Sequence, residues 1–205
     1  MNIPDSQTSS GRRSLKIGVT GGVGSGKSLV CKRLEAYGVS VCSADALSRQ
    51  AVEPGTRAFD QIVQHFGRRV LTPEGRIDRP RLRRLIINDE SARRTLESFV
   101  HPEVLVQMEK HFSAAQRRGA PMVAAEVPLL FEAGMEKFFD AVIFVSSERE
   151  NRLQRVMKRD KVSRREAEAL MKAQMPEDQK RARADYIVEN NGNIEQMQEE
   201  VDRIY

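Results

Sequence analysis

Short apolar, β-branched runs alternate along this chain with helical stretches of mixed charge. Leu15-Lys16-Ile17-Gly18-Val19-Thr20 has the length and character of a buried parallel strand. Residues 29–37 have helical spacing, with Val30, Leu34 and Tyr37 on one face. Residues 39–43 predict a second short strand, ending at Ala44-Asp45. Strand character returns over 121–127, 141–145 and 186–188. Asn190-Asn191-Gly192 then turns the chain into a closing amphipathic helix over 194–205. Residues 55–119 look mostly helical, broken at Pro54-Gly55, Gly67, Thr72-Pro73-Glu74-Gly75 and His101-Pro102. The last piece predicts a helix with Pro102 near its start, Val104, Met108, Phe112 and Ala115 on one face, and Gly119 as its stop. Residues 148–183 are helical, highly charged and poor in large apolar side chains.

Between the first strand and the first helix, Gly21 to Ser28 read Gly-Gly-Val-Gly-Ser-Gly-Lys-Ser, a full match to the phosphate-loop pattern G-x-x-x-x-G-K-[ST]. Glycines let successive N–H groups point inward around an anion, and the helix N-terminus adds its dipole. Lys27 supplies a full charge to the β- and γ-phosphates and Ser28 a hydroxyl to Mg2+. Gly22, Val23, Gly24, Ser25, Gly26, Lys27, Ser28 and Leu29 are therefore the expected ATP-binding residues. The order of elements predicts an α/β fold: a doubly wound parallel sheet of P-loop NTPase type, with a helical substrate-binding insertion and a helical lid. The expected division is a flexible tail (1–14), a nucleotide-binding core (15–54, 120–147 and 184–205), a substrate insertion (55–119) and a lid (148–183).

Composition narrows the picture. Of 205 residues, 34 are basic and 29 acidic, a net charge of +5 that suits an anionic ligand without implying nucleic acid. Two cysteines, Cys31 and Cys42, without ligand spacing to a second Cys or a His, fit a reducing cytosol and no metal cluster. No apolar run is long enough for a membrane span, and residues 1–13 lack the apolar core of a signal peptide. A cytoplasmic enzyme with no nucleic-acid or membrane partner is expected. The oligomeric state is left open, a monomer included.

Several segments, in order, resemble the dephospho-CoA kinase family: Thr20 to Ser28, Ser43-Ala44-Asp45 followed by Arg49, His101-Pro102, Val127-Pro-Leu-Leu-Phe-Glu132, residues 155–160, and Ala184-Asp185 with Asn190 and Gly192. The resemblance spans about residues 15–204. It implies transfer of the γ-phosphate of ATP to the ribose 3′-hydroxyl of dephospho-CoA, with Mg2+ as cofactor, on a fold similar to nucleoside monophosphate kinases. Asp45 matches the family's proposed base, and the rival role for it is an N-cap to a helix starting near Ala46. The family often reads Asp-Ala-Asp where this chain has Ser43-Ala44-Asp45, so a metal–water contact from the first carboxylate is not carried over. Ser28 and Glu126 are the implied metal residues. Thr20, Asp45, Arg49, Arg79 and His101 are the implied acceptor residues, and Lys27, Asp45 and Arg155 the catalytic ones. Arg155 and Arg159, four apart, share a helix face in the expected lid.

Two other readings stay open at this level. One is a kinase for a nucleoside monophosphate or another small hydroxyl compound on the same fold. The other is a nucleic-acid module, which the basic stripes suit but the 5% aromatic content does not. A GTPase switch is disfavoured because no Asn-Lys-x-Asp motif occurs.

Overall fold

The computed structural model describes residues 13–205, so the tail expected over 1–14 lies almost wholly outside the described residues. Elements follow in chain order: β1 (Leu15–Gly21), α1 (Lys27–Ala36), β2 (Ser40–Ser43), α2 (Ala44–Ala51), α3 (Arg57–Phe66), α4 (Arg79–Ile86), α5 (Glu90–Arg117), β3 (Met122–Glu126), β4 (Ala141–Ser146), α6 (Arg149–Asp160), α7 (Arg164–Lys172), α8 (Glu177–Arg183), β5 (Tyr186–Glu189) and α9 (Ile194–Ile204). The five strands form one parallel sheet in the order β2-β3-β1-β4-β5. The chain winds one way from β1 to β2 and β3, then crosses to β4 and β5. Sites in such sheets lie beyond the strand C-termini where the winding reverses.

Helices cover both faces, which is why the central strands read as continuous apolar runs. On one face α1 and α9 bury Val30, Leu34, Met197 and Val201 against Ile17, Val19, Ile143 and Val145. On the other, α2 and α5 bury Ala44, Met108 and Phe112 against Val123, Ala125 and Val142. The insertion has a core of its own, built on Ile62, Phe66, Val70, Ile77 and Leu82. Leu153, Val156 and Ala167 join α6 to α7.

Two expectations are corrected. Pro102 does not start a helix; it lies inside α5, which begins at Glu90 and runs 28 residues. A proline inside a helix costs about 3 kcal/mol. Full burial of Met108 and Phe112 returns roughly 1.5–3 kcal/mol each on the C-terminal side. On the N-terminal side Leu96, Phe99 and Val100 pack on the insertion core, so both halves are held in line. Tyr37 is not on the buried face of α1. It is exposed at the helix end and stacks on Tyr205 at 4.4 Å, beside an Arg33–Asp202 ion pair of 2.6 Å that ties α1 to α9.

Register brings the chemistry together. Glu126, last in β3, lies opposite Val19 of β1 on one side and Ser43 of β2 on the other. The phosphate loop, Glu126 and the start of α2 therefore emerge along one edge of the sheet.

Candidate active site

The loop after β1 turns through Gly24 and Gly26 into α1. Gly26 caps α1 with no side-chain hydrogen bond, and the N–H groups of Gly26, Lys27 and Ser28 have no backbone partner among the described residues. Such unspent helix N-terminal donors hold anions. Glycine is required here by close approach as well as by the turn. A side chain at Gly22 would meet the Arg152 guanidinium, and one at Gly26, where φ is 98°, would meet the Asn190 amide. Asn190 Nδ2 donates to Ser25 O at 2.7 Å, and Val23 N–H donates to Gln174 Oε1 at 2.8 Å. The loop is thus braced from behind by residues far along the chain.

Lys27 is buried, and its ammonium donates to Gly21 O at 3.0 Å and Gly22 O at 3.1 Å. Burial brings its pKa down to about 8. Lys180 and Arg159 add to the fall, while Glu126 and Asp45 oppose it. The same burial raises the pKa of Glu126; Lys27 opposes that rise and Asp45 adds to it. Lys27, Glu126 and Asp45 therefore share one electrostatic neighbourhood. Ser28, exposed in the first turn of α1, offers its hydroxyl beside them. Hydroxyl and carboxylate oxygens are the hard donors that Mg2+ prefers, so the residues present fit that ion.

Asp45 does not cap α2. Ser43 does, its Oγ accepting from Ala46 N–H at 3.4 Å. The exposed Asp45 carboxylate is left to face a cleft of about 420 Å3. Arg79, Arg83, Arg93, Glu97 and His101 line this cleft as well, with apolar walls from Ile77, Leu82, Val100 and Leu129. His101 titrates low because it is partly buried, an effect that Glu97 opposes. Arg79 also donates to the Arg49 carbonyl at 3.0 Å, joining α4 to α2.

The structure brings most of the expected residues together. Residues 22–28 form the loop, Asp45 and Glu126 stand beside it, and Arg79 and His101 line the cleft. Three others are placed differently. Thr20 is buried, with its hydroxyl 3.5 Å from Pro128 O, and does not line the cleft. Arg49 is exposed outside the cleft and contributes a backbone carbonyl to Arg79. Arg155 has both terminal nitrogens engaged: Nη1 with Gly24 O at 3.3 Å and Ser147 Oγ at 3.2 Å, Nη2 with Asn190 O at 3.1 Å. Four residues that brace or charge the loop carried no assignment from sequence: Arg152, Gln174, Lys180 and Asn190. Only Asn190 gave a signal, as part of the Asn190–Gly192 turn. Lysines and arginines in a charged helical stretch look alike whether they end up solvated or buried.

A loop that holds phosphate at one strand end, and a carboxylate at the mouth of a walled cleft beside it, meet the needs of phosphoryl transfer to a hydroxyl. The chain is a P-loop kinase. The model of the dephospho-CoA kinase family matches residues 15–196. A dephospho-CoA kinase from Anaeromyxobacter dehalogenans is 43% identical over 188 residues, which span 92% of this chain and 89% of that one. A solved structure from Thermus thermophilus matches with a TM-score of 0.82 at 37% identity, over 94% of this chain and 96% of that one. The structure of a dephospho-CoA kinase from Campylobacter jejuni matches with a TM-score of 0.68 at 26% identity, over 92% and 94%. The chain belongs to the dephospho-CoA kinase family.

Proposed function

We infer that the chain transfers the γ-phosphate of ATP to the ribose 3′-hydroxyl of dephospho-CoA, giving coenzyme A and ADP. The observation that carries this reading is the placement of Asp45 between the phosphate loop and the 420 Å3 cleft. The acceptor oxygen forms a bond to the γ-phosphorus as the bond from that phosphorus to the bridging oxygen of ADP breaks. The hydroxyl proton passes to Asp45. Lys27 and the loop amides hold the donor phosphates. Ser28 and Glu126 would hold Mg2+, which when bound neutralises charge on the β- and γ-phosphate oxygens.

The helical insertion, residues 55–119, supplies the acceptor site. Arg79 meets the acceptor's diphosphate and His101 lines the wall, since guanidinium forks suit phosphate oxygens. Residues 148–183 act as the lid. A cytosolic location fits the two free cysteines, and no helix among the described residues is long and apolar enough to cross a membrane. The test is ADP release measured with dephospho-CoA, AMP, CMP or shikimate as acceptor. Turnover is expected with dephospho-CoA alone. Preference for AMP or CMP would move the assignment to a nucleoside monophosphate kinase of the same fold.

Arg155 braces the loop rather than facing the cleft, and this sets the expected defect of Arg155→Ala. Its loss strands the Gly24 carbonyl and leaves the Asn190 carbonyl with the Ser147 hydroxyl, at 2.8 Å. Charged hydrogen bonds of this kind are worth about 1.5–3 kcal/mol together with their packing. The variant is expected to melt roughly 4–8 °C lower. The KM for ATP should rise about ten-fold while kcat falls less. A large fall in kcat at unchanged ATP KM would instead put Arg155 on the transferred group.

ATP binding is expected to depend on pH through Lys27. A triphosphate in the loop favours the ammonium and raises its pKa above the free-enzyme value of about 8. Affinity is then full below pH 8 and falls as pH rises above it, by up to about ten-fold per unit, until the bound-state pKa is reached. Calorimetry near pH 8.5 in two buffers of different ionisation enthalpy should show net proton uptake on binding. Net release would reverse the sign of the coupling.

A further inference from the structure

Gly22 stands at a free position of the phosphate-loop pattern, so the motif does not demand glycine there. Nor does its backbone, which lies outside the left-handed region that Gly24 and Gly26 adopt. The reason is a neighbour. The space that a Cβ would fill at Gly22 is taken by Arg152, whose Nη1 lies 2.0 Å from that position. A Cβ at Gly24 would in turn stand 2.7 Å from the Arg152 carbonyl. One residue of α6 therefore packs on two residues of the loop, with its side chain on Gly22 and its backbone on Gly24. Arg152 is only 9% exposed, and its Nε has no hydrogen-bond partner among the described residues. Its Nη2 pairs with Glu177 Oε2 of α8 at 2.6 Å, and Glu177 Oε1 accepts from Ser146 Oγ at 3.3 Å. A buried ion pair with a donor left unpaired adds little to stability. Its consequence is positional. Ser146 ends β4, which pairs with β1, so the guanidinium is fixed to the same part of the sheet that launches the loop.

The Gly22 peptide carries this constraint to the chemistry. Gly22 O accepts from Lys27 Nζ at 3.1 Å, and from Ser25 N–H at 3.1 Å. The carbonyl that holds the Lys27 ammonium thus belongs to the residue on which Arg152 lies. Contacts run without a break from Glu177 to Arg152, from Arg152 to Gly22, and from Gly22 to Lys27. Asn190, Arg155 and Gln174 hydrogen-bond to Ser25, Gly24 and Val23 instead.

We propose that Arg152 is a positioning residue for phosphoryl transfer: it holds the Gly22 peptide, whose carbonyl aims the Lys27 ammonium, while Glu177 holds the guanidinium in place. The proposal rests on the kinase reading above. Gly22 is then glycine for the sake of Arg152. The placing of a charge matters most where charge spreads in the transition state, so loss of Arg152 acts on kcat more than on donor binding. The N–H groups of Gly26, Lys27 and Ser28, at the start of α1, still hold the phosphates without it.

Arg152→Gln in the full chain, assayed by dephospho-CoA-dependent ADP release, should lower kcat about ten-fold with the ATP KM within about three-fold. Arg152→Lys keeps a charge for Glu177 but has no guanidinium to lay on Gly22. Its melting temperature should return close to the parent's while most of the loss in kcat remains. The deciding measurement is a double-mutant cycle with Lys27→Ala, read in single-turnover rates. Once Lys27 is gone, Arg152→Gln should cost less than about two-fold, because no ammonium is left to place. A full ten-fold loss in that background would make Arg152 a packing residue, and an unchanged kcat in a folded Arg152→Gln would remove it from the reaction. Either result overturns the proposal. If Arg152→Gln melts far below the parent, Gly22→Ala displaces the guanidinium from the loop side and is read in the same cycle. A parent protein with no dephospho-CoA-dependent turnover would overturn the kinase reading instead.

Discussion

Lys27→Ala is expected to leave a folded protein that turns over at least about 10³-fold more slowly than the parent, the scale on which a single preorganised electrostatic contact acts in phosphoryl transfer. The structure separates the catalytic loss from a folding defect. The ammonium is buried, with its directed hydrogen bonds going to the Gly21 and Gly22 carbonyls. Removing it takes a donor from both carbonyls, although Gly22 O still accepts from Ser25 N–H at 3.1 Å; a buried acceptor left without a partner costs roughly 1–3 kcal/mol. It also removes a charge whose burial is costly enough to bring its pKa down to about 8. The two effects on stability oppose each other, so the melting temperature should move by only a few degrees. The transition state has no comparable compensation, because the field of Lys27 on the donor phosphates is lost whole. Single-turnover measurements on the variant, with a melting curve on the same sample, check both halves. A folded variant within ten-fold of the parent would remove Lys27 from the donor site.

Asp45→Asn is expected to cut kcat by about 10²–10⁴, the usual worth of a positioned general base. ATP binding should change little. The structure sharpens this expectation by removing the rival role. Ser43 caps α2, so Asp45 is free of that duty and sits in the first helical turn facing the acceptor cleft. Its contribution to the fold is then the interaction of a carboxylate with a helix N-terminus, about 0.3–1 kcal/mol, and part of that survives in asparagine. The pattern to look for is a melting temperature close to the parent, an ATP Kd within about two-fold and a large loss of kcat. Loss of stability with kcat preserved would make Asp45 a structural residue and leave the base unassigned. Ser43→Ala on the same background offers a contrast, since it should lower stability through the lost cap without touching the acceptor proton.

The parts legible in the sequence are those whose cause is local. The first strand, the glycine loop and the start of α1 could be read directly, because the loop's backbone path depends on glycine at fixed spacing and the strand on a β-branched run. All five strands stood out as short apolar runs; for β3, β1 and β4 at the centre of the sheet the cause is burial on both faces, while the edge strands β2 and β5 are only partly covered. Local pattern put Asp45 and Glu126 at or just past strand C-termini, and the family resemblance gave them their roles. Local pattern could not show that they share an edge with Lys27. That depends on β3 pairing with both β1 and β2, a contact between residues about a hundred positions apart.

Only the tertiary structure decided the course of α5, because the penalty of Pro102 is local while the packing that overcomes it comes from two separate cores. It also decided what the charged helices do. Arg155, Arg152 and Lys180 belong to one run of mixed charge with the periodicity of an exposed helix. Yet one braces the loop through carbonyls, one packs on Gly22 and one is buried against Glu132. A cation's partner lies wherever the fold brings a carbonyl or carboxylate, and a long flexible stem carries no periodic signal of where its head is buried. The sequence by itself therefore determined where phosphate is held and which sheet holds it. Where the cations of the charged helices end up was decided by contacts that exist only once the chain has folded.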